Sequence, residues 1–308
     1  MRALTVDHSV PSRLRLTEVP DPVPAAHEVL VEVSAASVNP GEVQGLLPHA
    51  PDGVVPGWEA AGVVRRAAAD GSGPPVGTRV ATVGPGGAWA GLRAVPAALA
   101  GVVPDGADLV AAATLPVAAG SALRALRDLG PLLGRRVLVT GATGAVGRFA
   151  VQLGAMAGAD VVASVRRPGR EGELARLGAR EVLTGGPPFA TAPVHGVVET
   201  VGGEQLAAAF ALLAADGTLV SVGRASGADT VLGPAVLTGD AGAHGRSIRT
   251  FYLADGRPGL DADLGWLAAR LADGRLEAAV DRTAPFAEAP ALLAGPLPPG
   301  KLVLTPQG

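Results

Sequence analysis

A chain of 308 residues is long for a single core and suits two domains of about 150 residues each. A formal net charge of −3, with no block of Lys or Arg, offers no electrostatic footprint for a polyanion and excludes nucleic acid as an expected partner. The absence of cysteine rules out disulfides, thiolate nucleophiles and cysteine-ligated metal centres.

Apolar residues make up 48% of the chain but aromatics only 3%, so the interior must be filled by Ala, Val and Leu through close backbone packing. Lys301 is the only lysine; in a chain rich in Ala, Gly, Pro and Arg this reads as coding bias, and no role is assigned to it. The N-terminal stretch carries charges throughout, unlike a signal peptide, and no apolar run has membrane-spanning length. The expectation is a cytoplasmic protein with no membrane partner.

In chain order, residues 1–116 show short β-like runs punctuated by Gly and Pro, at 28–34, 61–65, 79–83 and 92–95. A helix is predicted over 115–129. From Arg135 to Phe251 buried-type strands alternate with amphipathic helices, the pattern of a parallel sheet covered on both faces. The strands are RRVLVT, DVVASV, REVL, HGVVET and GTLVSVG, and helices are predicted to begin near Gly147, Glu171 and Glu204. A further helix at 261–272 precedes a final strand in KLVLTP, which could return to pair with the first domain.

The strand at 135–140 runs directly into GATGAVGRFAVQLGAMAG, a glycine-rich turn followed by a helix, which is the context a dinucleotide fingerprint requires. Ala142, Gly144 and Gly147 take its three small positions, for the tight turn, the approach to pyrophosphate and the packing of helix on strand. The N–H groups of the helix starting near Ala145 then face the phosphates. A bland alternative is that these glycines only make a tight βα turn. At the end of the next strand an acidic side chain would bind the ribose hydroxyls, but the chain offers Ser164, Arg166 and Arg167, donors suited to a 2′-phosphate. NADPH is therefore expected over NADH, the alternative being two solvated loop arginines.

Eight ordered segments together resemble the zinc-free quinone oxidoreductase branch of the medium-chain dehydrogenase/reductase superfamily: PGWEAAGVV, VGTRV, GAWAGLRAVP, AATLPVAAGSALRAL, VLVTGATGAVGRFAVQL, ETVGG, LVSVG and GKLVL. The resemblance implies an α/β fold, a doubly wound Rossmann sheet at 117–269 joined to a GroES-like β-rich catalytic domain at 1–116 plus 270–308. It also implies a homodimer. Gly141, Ala142, Thr143, Gly144, Ala145, Val146 and Gly147 would meet the pyrophosphate, and Ser164, Arg166 and Arg167 the 2′-phosphate. Thr200, Val201, Gly202, Ser221, Val222 and Gly223 would line the nicotinamide ribose, with Phe251, Tyr252 and Leu253 at the carboxamide. Asn39 and Ser121 would sit beside the nicotinamide, and Asn39, Trp58 and Phe251 would line the substrate cleft.

Two departures from that family stand out. Its zinc-dependent relatives carry Gly-His-Glu where this chain has Gly57-Trp58-Glu59, and with no cysteine and five histidines lacking paired spacing no metal is expected. The family's aspartate after asparagine-proline is replaced by Gly41-Glu42, which leaves the proton donor open. Asn39 either donates its amide to substrate or holds a turn; Tyr252 either protonates an enolate or contributes a backbone contact; Ser121 either relays a proton or is a helix residue near the cofactor. Trp58 either walls the cleft or fills space, and Glu59 reads as a buried structural acid, for which an arginine is one partner, more readily than as a catalytic base.

Without a metal to stabilise an alkoxide, a conjugated acceptor fits, because charge from hydride addition spreads to a distant oxygen. The first functional expectation is a quinone or α,β-unsaturated carbonyl reductase. The second is a dedicated biosynthetic reductase of an enoyl thioester, polyketide enone or iminium. The third is an NADPH-binding protein without catalysis.

Overall fold

The computed structural model describes residues 1–239, 242–298 and 300–306. The chain divides into two compact units, one made of Met1–Gly120 with Ala254–Gly308 and the other of Ser121–Leu253.

The first stretch forms β1 (Arg2–Val6), β2 (Leu14–Glu18), β3 (Glu28–Ser37), β4 (Glu59–Arg66), β5 (Arg79–Val83), β6 (Leu92–Pro96) and β7 (Ala100–Val102). The middle forms β8 (Arg136–Val139), β9 (Asp160–Val165), β10 (Glu181–Thr184), β11 (Val194–Glu199), β12 (Leu213–Ser221) and β13 (Ser247–Thr250), and the chain ends in β14 (Val280–Pro285) and β15 (Lys301–Thr305).

In the first unit β3 organises the sheet. Its alternation turns Val29, Val31 and Val33 inward, and Val29 and Val31 pack with Val64, Val80 and Val95. One half of β3 pairs with β6, the other end with β15, and its second edge with β4. The C-terminal strand thus returns to the first domain, as KLVLTP suggested, with Val303 opposite Ser37. A second cluster around Trp89, Leu4, Leu304 and Phe286 fills the rest of this core.

The unit boundary lies at 253/254 rather than the expected 269/270. The helix Leu260–Ala272 buries Leu260, Leu264, Leu267 and Ala268 and packs on β7, so its apolar stripe belongs to the first unit. The other boundary falls at 120/121 instead of 116/117. There the predicted helix is broken in two: Leu115–Ala119 is one wide π turn, and the α-helix proper runs Gly120–Asp128. Pro116 has no N–H to give, so this turn does not start as an ordinary helix.

The second unit is a parallel six-stranded sheet in the order β10-β9-β8-β11-β12-β13, every neighbouring pair parallel. Counted from β8, this is the order 3-2-1-4-5-6 of the doubly wound nucleotide-binding fold. The helices Ala145–Met156, Glu171–Arg176 and Gly203–Ala211 follow β8, β9 and β11. β13 was not anticipated: it is an edge strand, mostly exposed, and so lacks an apolar signal. Among the described residues no helix is long and apolar enough to cross a membrane.

Candidate functional site

A parallel sheet points all its carboxyl ends the same way, and this brings five separated segments to one edge of the second unit. Gly141–Gly147 follow β8, Ser164–Arg167 end β9, Thr200–Gly202 follow β11, Ser221–Gly223 end β12 and Phe251–Leu253 follow β13. Ligands of such sheets bind at this edge, where the strand order reverses between β8 and β11.

The turn after β8 is built for close approach. Gly141 has φ +57, and a Cβ on it would lie 2.5 Å from Thr200 Oγ1. A Cβ on Gly147 would lie 2.4 Å from the Gly141 carbonyl oxygen, so the helix seats directly on the turn only because residue 147 is glycine. Gly144 is the N-cap, and no side chain caps this helix. Its first N–H groups and positive dipole end are therefore presented to an anion. Ala142 N donates to the Ser164 carbonyl at 3.1 Å, joining the β8 turn to the end of β9.

At that end Ser164 is 1% exposed and its Oγ has no hydrogen-bond partner. An orphaned buried hydroxyl beside an uncapped helix is a polar group awaiting a ligand. Arg166 and Arg167 follow on the surface. These residues fit the phosphates of a dinucleotide.

The sequence reading missed an acid beneath this edge. Glu199 is fully buried and accepts from Thr140 Oγ1 at 3.0 Å, Val201 N at 2.9 Å and Gly202 N at 2.9 Å. Burial pushes its carboxyl above the usual carboxylate range. Thr140 and Thr200 lace β8 to the turn after β11, Thr200 Oγ1 donating to the Thr140 carbonyl at 2.8 Å. Glu199 thereby shapes the loop that carries Thr200–Gly202. Nothing but its place at a strand end could have signalled this.

The first unit holds a buried ionic cluster. Lys301 Nζ donates to Glu59 Oε1 at 2.6 Å, Asn39 Oδ1 at 2.7 Å and Ser37 Oγ at 2.9 Å. Asn39 Nδ2 donates to Glu59 Oε1 at 2.8 Å, Ser37 Oγ also donates to Glu59, and Val117 N reaches its other oxygen at 2.7 Å. Glu42 accepts from Asn39 N at 2.6 Å and from Trp58 N. Burial, with Glu59 adding like charge, pushes Glu42 up to about 7. Arg93, buried by Thr82 and the carbonyls of Trp58 and Gly86, is pulled down to about 10 by desolvation and stays charged at neutral pH.

Several expectations change here. Glu59 is a buried structural acid, but its partner is Lys301 and not an arginine. Lys301, read as coding bias, is the centre of the cluster. Asn39 spends its amide donor on Glu59 and Glu42 and its carbonyl on Lys301. It therefore orients the cluster rather than presenting a free donor. Tyr252 is 70% exposed, on the surface beyond β13, and Ser121 is buried at the start of its helix. Phe251 and Leu253 are half-buried.

A zinc ion does not fit. The chain has no cysteine, Trp58 offers no ligand atom, both Glu59 oxygens are committed, and no described group of three or more His, Asp or Glu could hold a metal.

Comparison with known proteins agrees with this geometry. Residues 25–105 match the alcohol dehydrogenase GroES-like domain, and residues 177–304 match the zinc-binding dehydrogenase family. The thermostable alcohol dehydrogenase from Pyrobaculum aerophilum superposes with a TM-score of 0.84 at 28% identity, covering 99% of each chain. The chain belongs to the medium-chain dehydrogenase/reductase superfamily. That superfamily is one of oxidoreductases that bind a nicotinamide cofactor. Mycobacterial Rv1454c, solved with NADPH, is 28% identical with a TM-score of 0.82, covering 99% of this chain and 100% of its own. Erythronolide synthase EryA2 of Saccharopolyspora erythraea is 36% identical over 216 residues, 65% of this chain, and the match spans 6% of that synthase.

Proposed function

We propose that the chain is an NADPH-dependent reductase that delivers hydride to a conjugated acceptor, a quinone or an α,β-unsaturated carbonyl, without a metal. The observation that carries the choice of cofactor is the end of β9: no acid, an unpartnered buried Ser164 hydroxyl, and two exposed arginines in the next three positions. An acid there would repel a 2′-phosphate; a hydroxyl and guanidinium forks receive it. The NADPH complex of Rv1454c supports the same choice.

Bound NADPH supplies the hydride. The residues of the second unit hold and orient it: the helix at Ala145 takes the pyrophosphate, while the loops at Thr200 and Ser221 fix the ribose. The choice of acceptor rests on which groups are free to stabilise the charge that hydride transfer creates. The buried cations of the first unit are committed, Lys301 to Glu59 and Arg93 to Thr82 and two carbonyls, and Asn39 has no proton to spare. With these groups engaged inside the protein, they are not available to stabilise the localised alkoxide that a simple ketone would build. A conjugated acceptor spreads that charge away from the reacting carbon.

A second reading, a biosynthetic reductase of an enoyl group, is favoured by the match to a polyketide synthase. NADPH oxidation with a panel of quinones, enals and enoyl thioesters separates the readings. Turnover on enals or quinones is expected; turnover confined to thioesters selects the second reading, and tight NADPH binding without turnover on any acceptor defeats both.

A further inference from the structure

The carboxyl edge of the second unit treats its backbone N–H groups in two opposite ways. After β8 they are left open: the helix that starts at Ala145 has Gly144 as its N-cap, and no side chain caps its first turn. After β11 they are taken. Thr200 N donates to Thr140 Oγ1 at 3.0 Å, Val201 N and Gly202 N each donate to Glu199 Oε1 at 2.9 Å, and Gly203 N donates to Thr230 Oγ1 at 3.0 Å. The same holds beyond β12. There Val222 N and Gly223 N donate to the Glu199 carbonyl at 2.7 and 3.2 Å, Ala225 N to the Thr200 carbonyl at 3.2 Å and Ser226 N to the Val201 carbonyl at 2.8 Å.

Glu199 stands at the centre of this arrangement, accepting through its side chain and through its backbone. The hydroxyl protons around it are fixed as well. Thr140 Oγ1 accepts from Thr200 N and gives its own proton to Glu199 at 3.0 Å, while Thr200 Oγ1 gives its proton to the Thr140 carbonyl at 2.8 Å. The Thr200 oxygen therefore keeps only lone pairs to offer a ligand. The first turn of the helix Gly203–Ala211 adds the acid Glu204 to the same side. With its donors withdrawn, this half of the edge can accept hydrogen bonds but not give them. Phosphate oxygens are acceptors and find no partner on such a surface, whereas sugar hydroxyls donate to it.

We infer that Glu199 is a positioning residue for the cofactor: by consuming the N–H groups after β11 and β12 it makes that half of the edge a receptor for sugar hydroxyls and confines the phosphates to the turn after β8. This rests on the nicotinamide-cofactor reading given above and holds for NADPH and NADH alike. Each half of a doubly wound sheet takes one mononucleotide, and the adenosine ribose lies at the end of the strand after the glycine turn. Glu199 thus acts on the other nucleotide, past β11, and not on the adenosine half beside β9.

The test is calorimetric titration of the full chain with NADPH and NADH, and with their adenosine halves 2′,5′-ADP and ADP. Glu199→Leu strands the Thr140 hydroxyl and the N–H groups of Val201 and Gly202. The dinucleotide that wild type binds should then bind at least about tenfold more weakly, while its adenosine half stays within about twofold of wild type. Glu199→Gln keeps an oxygen for the same donors and should restore the dinucleotide to within about threefold of wild type. Thr140→Val breaks one link of the chain; it should weaken the dinucleotide alone and add little in the Glu199→Leu background. Should Glu199→Leu fold poorly, Thr140→Val with Glu199→Gln decides the matter. Equal losses for the dinucleotide and its adenosine half would mean that Glu199 only holds the strand ends together, and unchanged affinities would mean that the loop keeps its shape unaided; either result overturns the positioning role alone. A wild type that binds neither dinucleotide overturns the cofactor reading and this role with it.

Discussion

Lys301 Nζ lies 2.6 Å from Glu59 Oε1, although the two are 242 residues apart in sequence, and both side chains are buried. The pair fastens the C-terminal strand β15 to the turn that carries Trp58. Lys301→Met should cost about 3–5 kcal/mol, because it leaves the Glu59 carboxylate buried without a counter-charge. Urea unfolding would measure this, and adding Glu59→Gln should recover part of the loss, since the stranded charge is gone. A loss under about 1 kcal/mol would mean that Ser37, Asn39 and Val117 suffice to hold the acid.

Glu42 sets a pH dependence of opposite sense to that of a salt-bridged carboxylate. Its carboxyl is raised from 4.5 to about 7, so between those values the folded chain keeps a proton that the unfolded chain releases. Its contribution is most favourable below pH 4.5, is lost as pH rises toward 7, and levels off above. Relative to Glu42→Gln, wild type should lose on the order of 3 kcal/mol across that window. Urea unfolding of both proteins at pH 5, 6, 7 and 8 checks it, and parallel curves would show that Glu42 ionises freely in the folded state.

How much of this was legible follows from what each feature leaves in the sequence. The doubly wound sheet was readable because β8, β9 and β11 are buried on both faces and so are continuous apolar runs. The turn at Gly141–Gly147 was readable because close approach demands small residues at fixed spacing. The ionic cluster was not. Ser37, Glu59 and Lys301 come from three distant strands, and only the register that places Val303 against Ser37 and Glu59 against Ser37 brings them together. A lone lysine in an arginine-rich chain looks like noise until its burial is known. The helix Leu260–Ala272 was found but assigned to the wrong unit, since amphipathic spacing shows that a face is buried, not against what.

The cofactor site makes two separable predictions. Gly147→Ala forces a methyl to within 2.4 Å of the Gly141 carbonyl oxygen, so the helix must lift from the turn. Both NADPH and NADH should bind at least about tenfold more weakly, as the N–H groups leave their anion. Arg166→Ala with Arg167→Ala should weaken NADPH by about tenfold or more and leave NADH unchanged, because only the 2′-phosphate distinguishes them. Calorimetric titration with each dinucleotide reads both outcomes; equal losses for NADPH and NADH in the arginine variant would remove those residues from discrimination.

Asn39 and Tyr252 can be told apart from catalytic groups by asking what each change costs besides rate. Tyr252→Phe should keep kcat close to wild type, because the ring is 70% exposed and water would take the place of its hydroxyl. Asn39→Ala removes the donor to Glu59 and Glu42 and the acceptor of Lys301, so a loss of rate should come with a loss of about 1–3 kcal/mol in stability. Measuring kcat and urea unfolding on the same preparations distinguishes the two roles. A large fall in kcat for Asn39→Ala at unchanged stability would return its amide to the reacting oxygen, and a tenfold fall for Tyr252→Phe would put the phenol in the proton transfer, which its exposure argues against.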